Sequence, residues 1–273
     1  MIPRWPNRDT WFLIALGGAL GFYVLLILAM LVVDAAYTRF DVIWRAVHDP
    51  DILFAVKLSV FSCTISALLS VLVAVPIGYL MSRMRFPGRT LIDVCLDIPI
   101  VLPPLVIGLS LLILFQTSAG RALESWFQAL TGSRITYEVP AVILAQFMVA
   151  CAFAVRTMRA TFDQTNPRAE QVALTLGCTR AQAFRLVALP EAWKGVITAG
   201  TLAWARALGE FGPILVFAGA TRQRTEVLST TVFLELSVGR LDTAVAVSLL
   251  MILIAVLVLV LVRRWGALGE GAR

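Results

Sequence analysis

The stretch Asn166–Pro190, NPRAEQVALTLGCTRAQAFRLVALP, is the longest water-exposed passage of an otherwise apolar chain, and the arrangement of the rest turns on it. Asn166 can cap a helix whose first position suits Pro167, and that helix is expected to run to Leu176 and stop at Gly177. Thr179 and Gln182 have the spacing of a capping box, so a second helix follows. It carries Ala181, Phe184, Val187 and Ala188 on one face, Arg180 and Arg185 elsewhere, and is expected to end at Pro190. Two amphipathic helices hinged on one glycine between membrane spans form a docking surface.

Of the 273 residues, 59% are hydrophobic and 15% charged, with a mean hydropathy of +0.87. That balance predicts an all-α integral membrane protein. A helix needs roughly 20 residues to cross a hydrocarbon core of ~30 Å. Six stretches are long enough: near Trp11–Val33, Ile52–Leu80, Asp93–Phe115, Val139–Met158, Ala192–Ala218 and Leu241–Val262. The first follows a basic flank but is too long for a signal-peptide core, so a retained span is expected. With no internal repeat or low-complexity linker, residues 1–273 read as a single domain.

Lys and Arg are retained on the cytoplasmic side during insertion. Arg4, Arg8, Arg83, Arg85, Arg89, Arg156, Arg159, Arg168, Arg180, Arg185, Lys194, Arg263, Arg264 and Arg273 fall on one side of the six spans. Half as many, Arg39, Arg45, Arg121, Arg134, Arg222, Arg224 and Arg240, fall on the other. Both termini and the two-helix loop are therefore expected in the cytoplasm. The formal charge of +6 follows from this bias, and no basic patch interleaved with stacking aromatics points to nucleic acid. Asp34, Asp41, Asp49, Asp51, Glu124, Glu138, Glu226, Glu235 and Asp242 outnumber the outer basic residues, so the mouth is not positive overall.

Catalytic chemistry finds no support. Cys63, Cys95, Cys151 and Cys178 form neither a disulfide framework nor a CxxC pair, and His48 reads as a solvated loop residue. No nucleophilic, metal or paired-carboxylate constellation is visible, and no GxxxxGK[ST] phosphate loop. The chain is expected to be neither an enzyme nor an ATPase, with no cofactor or metal of its own.

Charged and helix-breaking residues within the spans are the remaining features. Arg206 and Glu210, one turn apart in the fifth span, must pair or face water, because an unpaired charge there costs at least ~2.5–3.5 kcal/mol. A structural ion pair and a gate or path role both fit. Gly209, Gly212 and Pro213 loosen the backbone around them. Pro99, Pro103 and Pro104 interrupt the third span, as a packing kink or as the lining of a path. Lys57 is placed to snorkel to the outer interface. Arg222 and Arg224, beyond the fifth span, could meet an outer protein partner, a passing solute or only solvent.

Glu170–Pro190 resembles the EAA loop of ABC importer permeases, E-A-A, three residues, G, nine residues, I-x-L-P. Gly177, Val187, Leu189 and Pro190 fall at that spacing with Ala173 as the second alanine; Gln171 replaces the glutamate and Val172 the first alanine, with Glu170 adjacent. Pro76–Tyr79, Arg83–Gly88, Pro99–Pro104 with Gly108, and Ala205–Gly212, ARALGEFG, are similar to molybdate, tungstate and sulfate permeases. Thr221–Ser229, TRQRTEVLS, departs from their GETRTLP-like pattern and leaves the anion open.

The resemblance, closest to molybdate permeases, implies a type I importer fold in a bacterial or archaeal cell membrane. It also implies a second permease copy, a cytoplasmic ATPase dimer holding ATP and Mg, and an extracytoplasmic oxyanion-binding protein. Glu170, Gln171, Val172, Ala173, Leu176, Gly177, Phe184, Val187, Leu189 and Pro190 would couple to the ATPase. Pro103, Pro104, Gly108, Arg206, Gly209, Glu210, Phe211 and Gly212 would line or gate the path. A gradient-driven transporter and a membrane scaffold are the alternatives.

Overall fold

The computed structural model describes residues 10–268, and the described residues form helices and connecting turns without a strand. The termini that the charge count orients lie outside them. The helices are α1 Thr10–Tyr37, α2 Phe40–His48, α3 Pro50–Arg83, α4 Arg89–Val101, α5 Pro104–Gln116, α6 Ser118–Thr131 and α7 Val139–Gln164. There follow α8 Arg168–Thr175, α9 Arg180–Ala183, α10 Leu189–Glu191, α11 Trp193–Leu208, α12 Gly212–Phe217, α13 Leu228–Ser237 and α14 Leu241–Leu268.

The α3–α7 pair is the centre of the molecule. Along α3 most buried positions are small, Ala55, Ser59, Ser62, Cys63, Ser66, Ala67, Ser70, Ala74 and Gly78, with Ile52, Leu58 and Met81 the larger ones. α7 buries Ala141, Ala145, Ala150 and Ala154 in the same packed core, so the two backbones approach closely, the route by which apolar helices associate in lipid. The serine hydroxyls are satisfied locally or across the seam. Ser70 donates to the Ser66 carbonyl at 2.7 Å, and Ser66 to the Ile143 carbonyl at 3.0 Å. Ser59 accepts the Leu228 N–H at 2.8 Å, which gives an end group of α13 the partner its own helix lacks. α11 lies against both helices with Ala199, Ala203 and Ala207 buried, α14 lies against α11 and α13, and α1 buries no residue of its own.

Among the described residues, four continuous helices are long and apolar enough to cross a membrane: Thr10–Tyr37, Pro50–Arg83, Val139–Gln164 and Leu241–Val262. The third apolar stretch is not straight, since α4 and α5 meet at 111°. Leu102 and Pro103 each precede a proline and are pushed to ψ 140° and 134°, where a helix cannot continue. The fifth stretch, expected as one span over Ala192–Ala218, is divided into a 16-residue α11 and a 6-residue α12. Pro213 inside a continuous helix would remove a backbone hydrogen bond and clash with the preceding turn, so the helix restarts with the proline in its first turn. The amphipathic helices α2 and α6, and the short α13, fall in segments that hydropathy leaves as loops.

Gly78 marks a close approach at the elbow end of the seam: a Cβ there would lie 2.8 Å from the Arg159 nitrogen and from the Met158 Cβ. Gly78→Leu is expected to lower stability by about 1–3 kcal/mol through overpacking. Gly17→Leu on α1, where nothing lies within 4 Å, is expected to leave it unchanged. Thermal unfolding of the two detergent-solubilised variants checks the contrast.

Candidate coupling surface and translocation path

The polar passage folds as an elbow. Asn166 accepts the Arg168 N–H at 3.0 Å and so caps α8, as its sequence position suggests. Gly177 takes φ +93°, and the Cys178 and Gly177 N–H groups donate to the Ala173 and Leu174 carbonyls, each at 3.1 Å. This left-handed close is open to glycine at little strain. Thr179 and Gln182 form the reciprocal capping box.

The second arm does not end at Pro190. A π turn over Phe184–Ala188 widens the helix, and the chain continues through α10 to Glu191. In a regular helix the Pro190 ring would clash with the carbonyl four residues back, and the wider turn relieves this. The extra residue also resets the face: Ala183, rather than the expected Ala181, is buried with Ala188, while Ala181 is exposed. Phe184 packs on Tyr79 at 4.6 Å and faces Phe162 at 6.4 Å; Val187 and Leu189 are half-buried and Pro190 exposed.

Within the first arm Ala173 is buried, and Gln171, Val172 and Leu176 point outward. Glu170 is the departure from the expected coupling surface. It is buried, and its carboxylate is held by the Arg83 Nε at 2.9 Å and the Tyr79 hydroxyl at 2.8 Å. Both partners fall in strings shared with oxyanion permeases, but nothing along the chain pairs either with Glu170. Pro76, Tyr79, Arg83, Leu174, Arg180 and Phe184 are among the residues lining a cleft of about 700 Å³ between α3 and the elbow.

The residues expected along a path cluster where the two helix breaks meet. A Cβ on Gly108 of α5 would lie 2.8 Å from Pro213 Cα, and one on Gly212 of α12 would lie 3.0 Å from the Leu105 nitrogen, so the breaks interlock. Pro103 and Pro104 form the outer side of this junction and are exposed. Arg206 and Glu210 pair at 2.8 Å, with Glu210 1% exposed. The Arg206 guanidinium carbon lies 5.4 Å from the centre of the Phe153 ring. Ser229 donates to the Glu210 carbonyl at 2.6 Å, and Phe211 packs on Phe233 at 5.0 Å. Phe153, Ser229 and Phe233 enter this site from elements distant in sequence. Gly209 is exposed at the end of α11.

Beyond the breaks, Arg222 is tied down rather than free for docking. It bridges Asp51 at the start of α3, at 3.3 Å, and Glu235 of α13, at 2.6 Å, while Gln223 donates to Asp51 at 2.7 Å. Arg224 lies 3.8 Å from Glu138 and is exposed. Lys57 is exposed on α3. Glu226 is sealed from solvent. Burial pushes its pKa up; Asp51 and Glu235 add to that, and the Thr231 hydroxyl and Arg222 oppose it.

A bundle of spanning helices broken at prolines, with an amphipathic elbow between its fourth and fifth apolar stretches, is the architecture of a transport permease. The chain belongs to the family of binding-protein-dependent transport system inner membrane components, which matches residues 74–267, and it is an ABC importer permease subunit and a multi-pass membrane protein. It is 31% identical over 240 residues to the sulfate transport system permease protein CysT of Salmonella typhimurium, covering 87% of this chain and 86% of that one. To the molybdate/tungstate transport system permease protein WtpB of Thermococcus kodakarensis it is 31% identical over 204 residues, covering 75% and 76%. The crystal structure of a bacterial ABC transporter that imports the acidic polysaccharide alginate superimposes with a TM-score of 0.73 at 18% identity, covering 96% of both chains. These likenesses establish the type I fold expected from the EAA-like loop.

The raised Glu226 pKa means that the folded protein holds this proton more tightly than the unfolded chain. Its stability therefore declines as pH rises from the ordinary glutamate value, about 4.3, through the raised one. Glu226→Gln is expected to match the parent protein below this window and exceed it above. Melting temperatures of both proteins across pH 4 to 9, about the range of these shifts, check the sign.

Proposed function

We propose that this permease forms the membrane path of an ATP-driven oxyanion importer and couples it, through the α8–α10 elbow, to a separate ATPase subunit. The observation that carries the coupling role is the outer face of the elbow. Val172 is 57% exposed, Leu186 69% and Leu176 80%, on a segment that has left the apolar spans. Apolar side chains presented on a polar loop fit a protein cleft. The elbow and both termini lie in the cytoplasm, as the Lys and Arg bias directs. ATP and Mg are held by the ATPase dimer, and a second copy of this chain completes the path.

The anion is a tetrahedral oxyanion, with molybdate the first reading and sulfate the second. The ARALGEFG string supports an oxyanion of either kind; the molybdate/tungstate relative supports the former, and the longer match to the sulfate permease supports the latter. The outer mouth is acidic on balance, so selection falls to the extracytoplasmic binding protein and the path itself holds the anion weakly. Arg206, neutralised by Glu210 at the junction of the two breaks, offers a cation to a passing anion without trapping it.

Leu176→Asp is expected to cost about 2 kcal/mol of ATPase affinity, roughly thirtyfold, as at other buried apolar anchors. Co-purification of the tagged complex reads this directly; full retention of the ATPase would remove the coupling assignment. Gly177→Val, strained at φ +93°, is expected to insert normally and lose uptake. Uptake of radiolabelled molybdate and sulfate into proteoliposomes containing the whole complex decides the anion. Uptake without ATP would point instead to a gradient-driven carrier.

A further inference from the structure

We propose that Arg83 is a positioning residue for energy coupling, a polar strut that locks α8 to the cytoplasmic ends of α3 and α7 through Glu170. This rests on the reading of the elbow as the ATPase-coupling surface and goes beyond it, since neither Arg83 nor Tyr79 belongs to that surface.

The geometry assigns every edge of the Arg83 fork. Its Nε donates to Glu170 Oε1 at 2.9 Å. Nη1 donates to the Phe162 carbonyl at 2.7 Å and the Ser82 hydroxyl at 3.2 Å. Nη2 donates to the Thr165 hydroxyl at 2.8 Å and the Thr165 carbonyl at 3.2 Å. The Phe162 and Thr165 carbonyls close the last turn of α7, where the helix has no donors left to offer and its dipole is negative. The other Glu170 oxygen accepts the Tyr79 hydroxyl at 2.8 Å. One guanidinium and one carboxylate thus join three helices, and both oxygens of Glu170 are taken from α3.

What surrounds the strut gives it mechanical weight. α8 packs mainly on the π turn and α9, and the cleft of about 700 Å³ separates it from α3. Direct apolar packing between α8 and the spanning helices is correspondingly thin, so Arg83 and Glu170 are the direct side-chain link from α8 to α3 and α7, beside the indirect contact of Phe184 with Tyr79 and Phe162. Tight packing at Gly78, one residue before Tyr79, carries motion of that link along the α3–α7 seam. A lysine at 83 would keep the charge but not the planar fork that binds Glu170 and two α7 carbonyls at once.

The test uses the whole complex, with its ATPase and binding protein, in proteoliposomes, and reads solute taken up per ATP hydrolysed. Arg83→Lys is expected to keep the ATPase attached and hydrolysing while uptake per ATP falls about tenfold, within the range of coupling between sites in other proteins. Tyr79→Phe, which removes one oxygen, is expected to lower the ratio in the same direction by a smaller factor. A merely structural role would reduce the amount of assembled complex and leave the ratio untouched. Unchanged ratios in both variants, or release of the ATPase by Arg83→Lys, would overturn the proposal. If Arg83→Lys does not insert, Tyr79→Phe alone decides. Leu176→Asp is measured alongside. Retention of the ATPase in that variant removes the coupling reading itself, whereas its release together with wild-type ratios in the strut variants removes only the strut.

Discussion

The close approach of α3 and α7 is the constraint on which the other elements depend. In lipid there is no hydrophobic gain from bringing two apolar helices together, so association rests on packing and on the satisfaction of polar groups. The row of Ala, Ser and Cys along α3 supplies both, with small volume at the seam and hydroxyls that bond to carbonyls of the same or the facing helix. Everything else is hung on this pair. α11 lies against both helices, Ser59 caps the first turn of α13, and the elbow-side ends of both helices anchor the elbow through Arg83.

Two broken helices then meet beside the pair. Their prolines do more than kink the chain: consecutive prolines at 103 and 104 impose a 111° turn, and Pro213 forces a restart after Leu208. Irregular backbone at membrane depth is tolerated where it is buried in protein or lines a water-filled path. Here Gly212 and Pro213 are buried, with Gly108 against Pro213 and Gly212 against Pro104 and Leu105, while the α4–α5 break keeps an exposed side. The Arg206–Glu210 pair lies just before one of them, so the charges and the loosened backbone share a region. This is a junction where one helix cannot shift without moving the other.

Much of the elbow was legible in the chain because its determinants are local. Asn166, Gly177, Thr179 and Gln182 act on backbone groups within a few residues, and each forms the cap its spacing suggests. The inward turn of Glu170 was not legible, because its partners Arg83 and Tyr79 lie about ninety residues earlier. The π turn also escaped, since its cause is the conflict between Pro190 and helix geometry and its visible effect is a shift of face from Ala181 to Ala183. Arg222 illustrates the same limit. As a sequence it is an outer basic residue, and only the fold brings Asp51 and Glu235 to it.

The sequence by itself determined that the chain enters a membrane, that its helices have prolines and glycines at particular depths, and that a capped elbow interrupts them. These follow from transfer free energy and backbone sterics, which act on each segment alone. Only the tertiary structure decided which apolar stretches remain straight, which charges are consumed internally and which apolar side chains are left facing outward. Those outcomes depend on how closely α3 and α7 approach and on which groups that approach brings within hydrogen-bonding reach, and neither is set by neighbours along the chain.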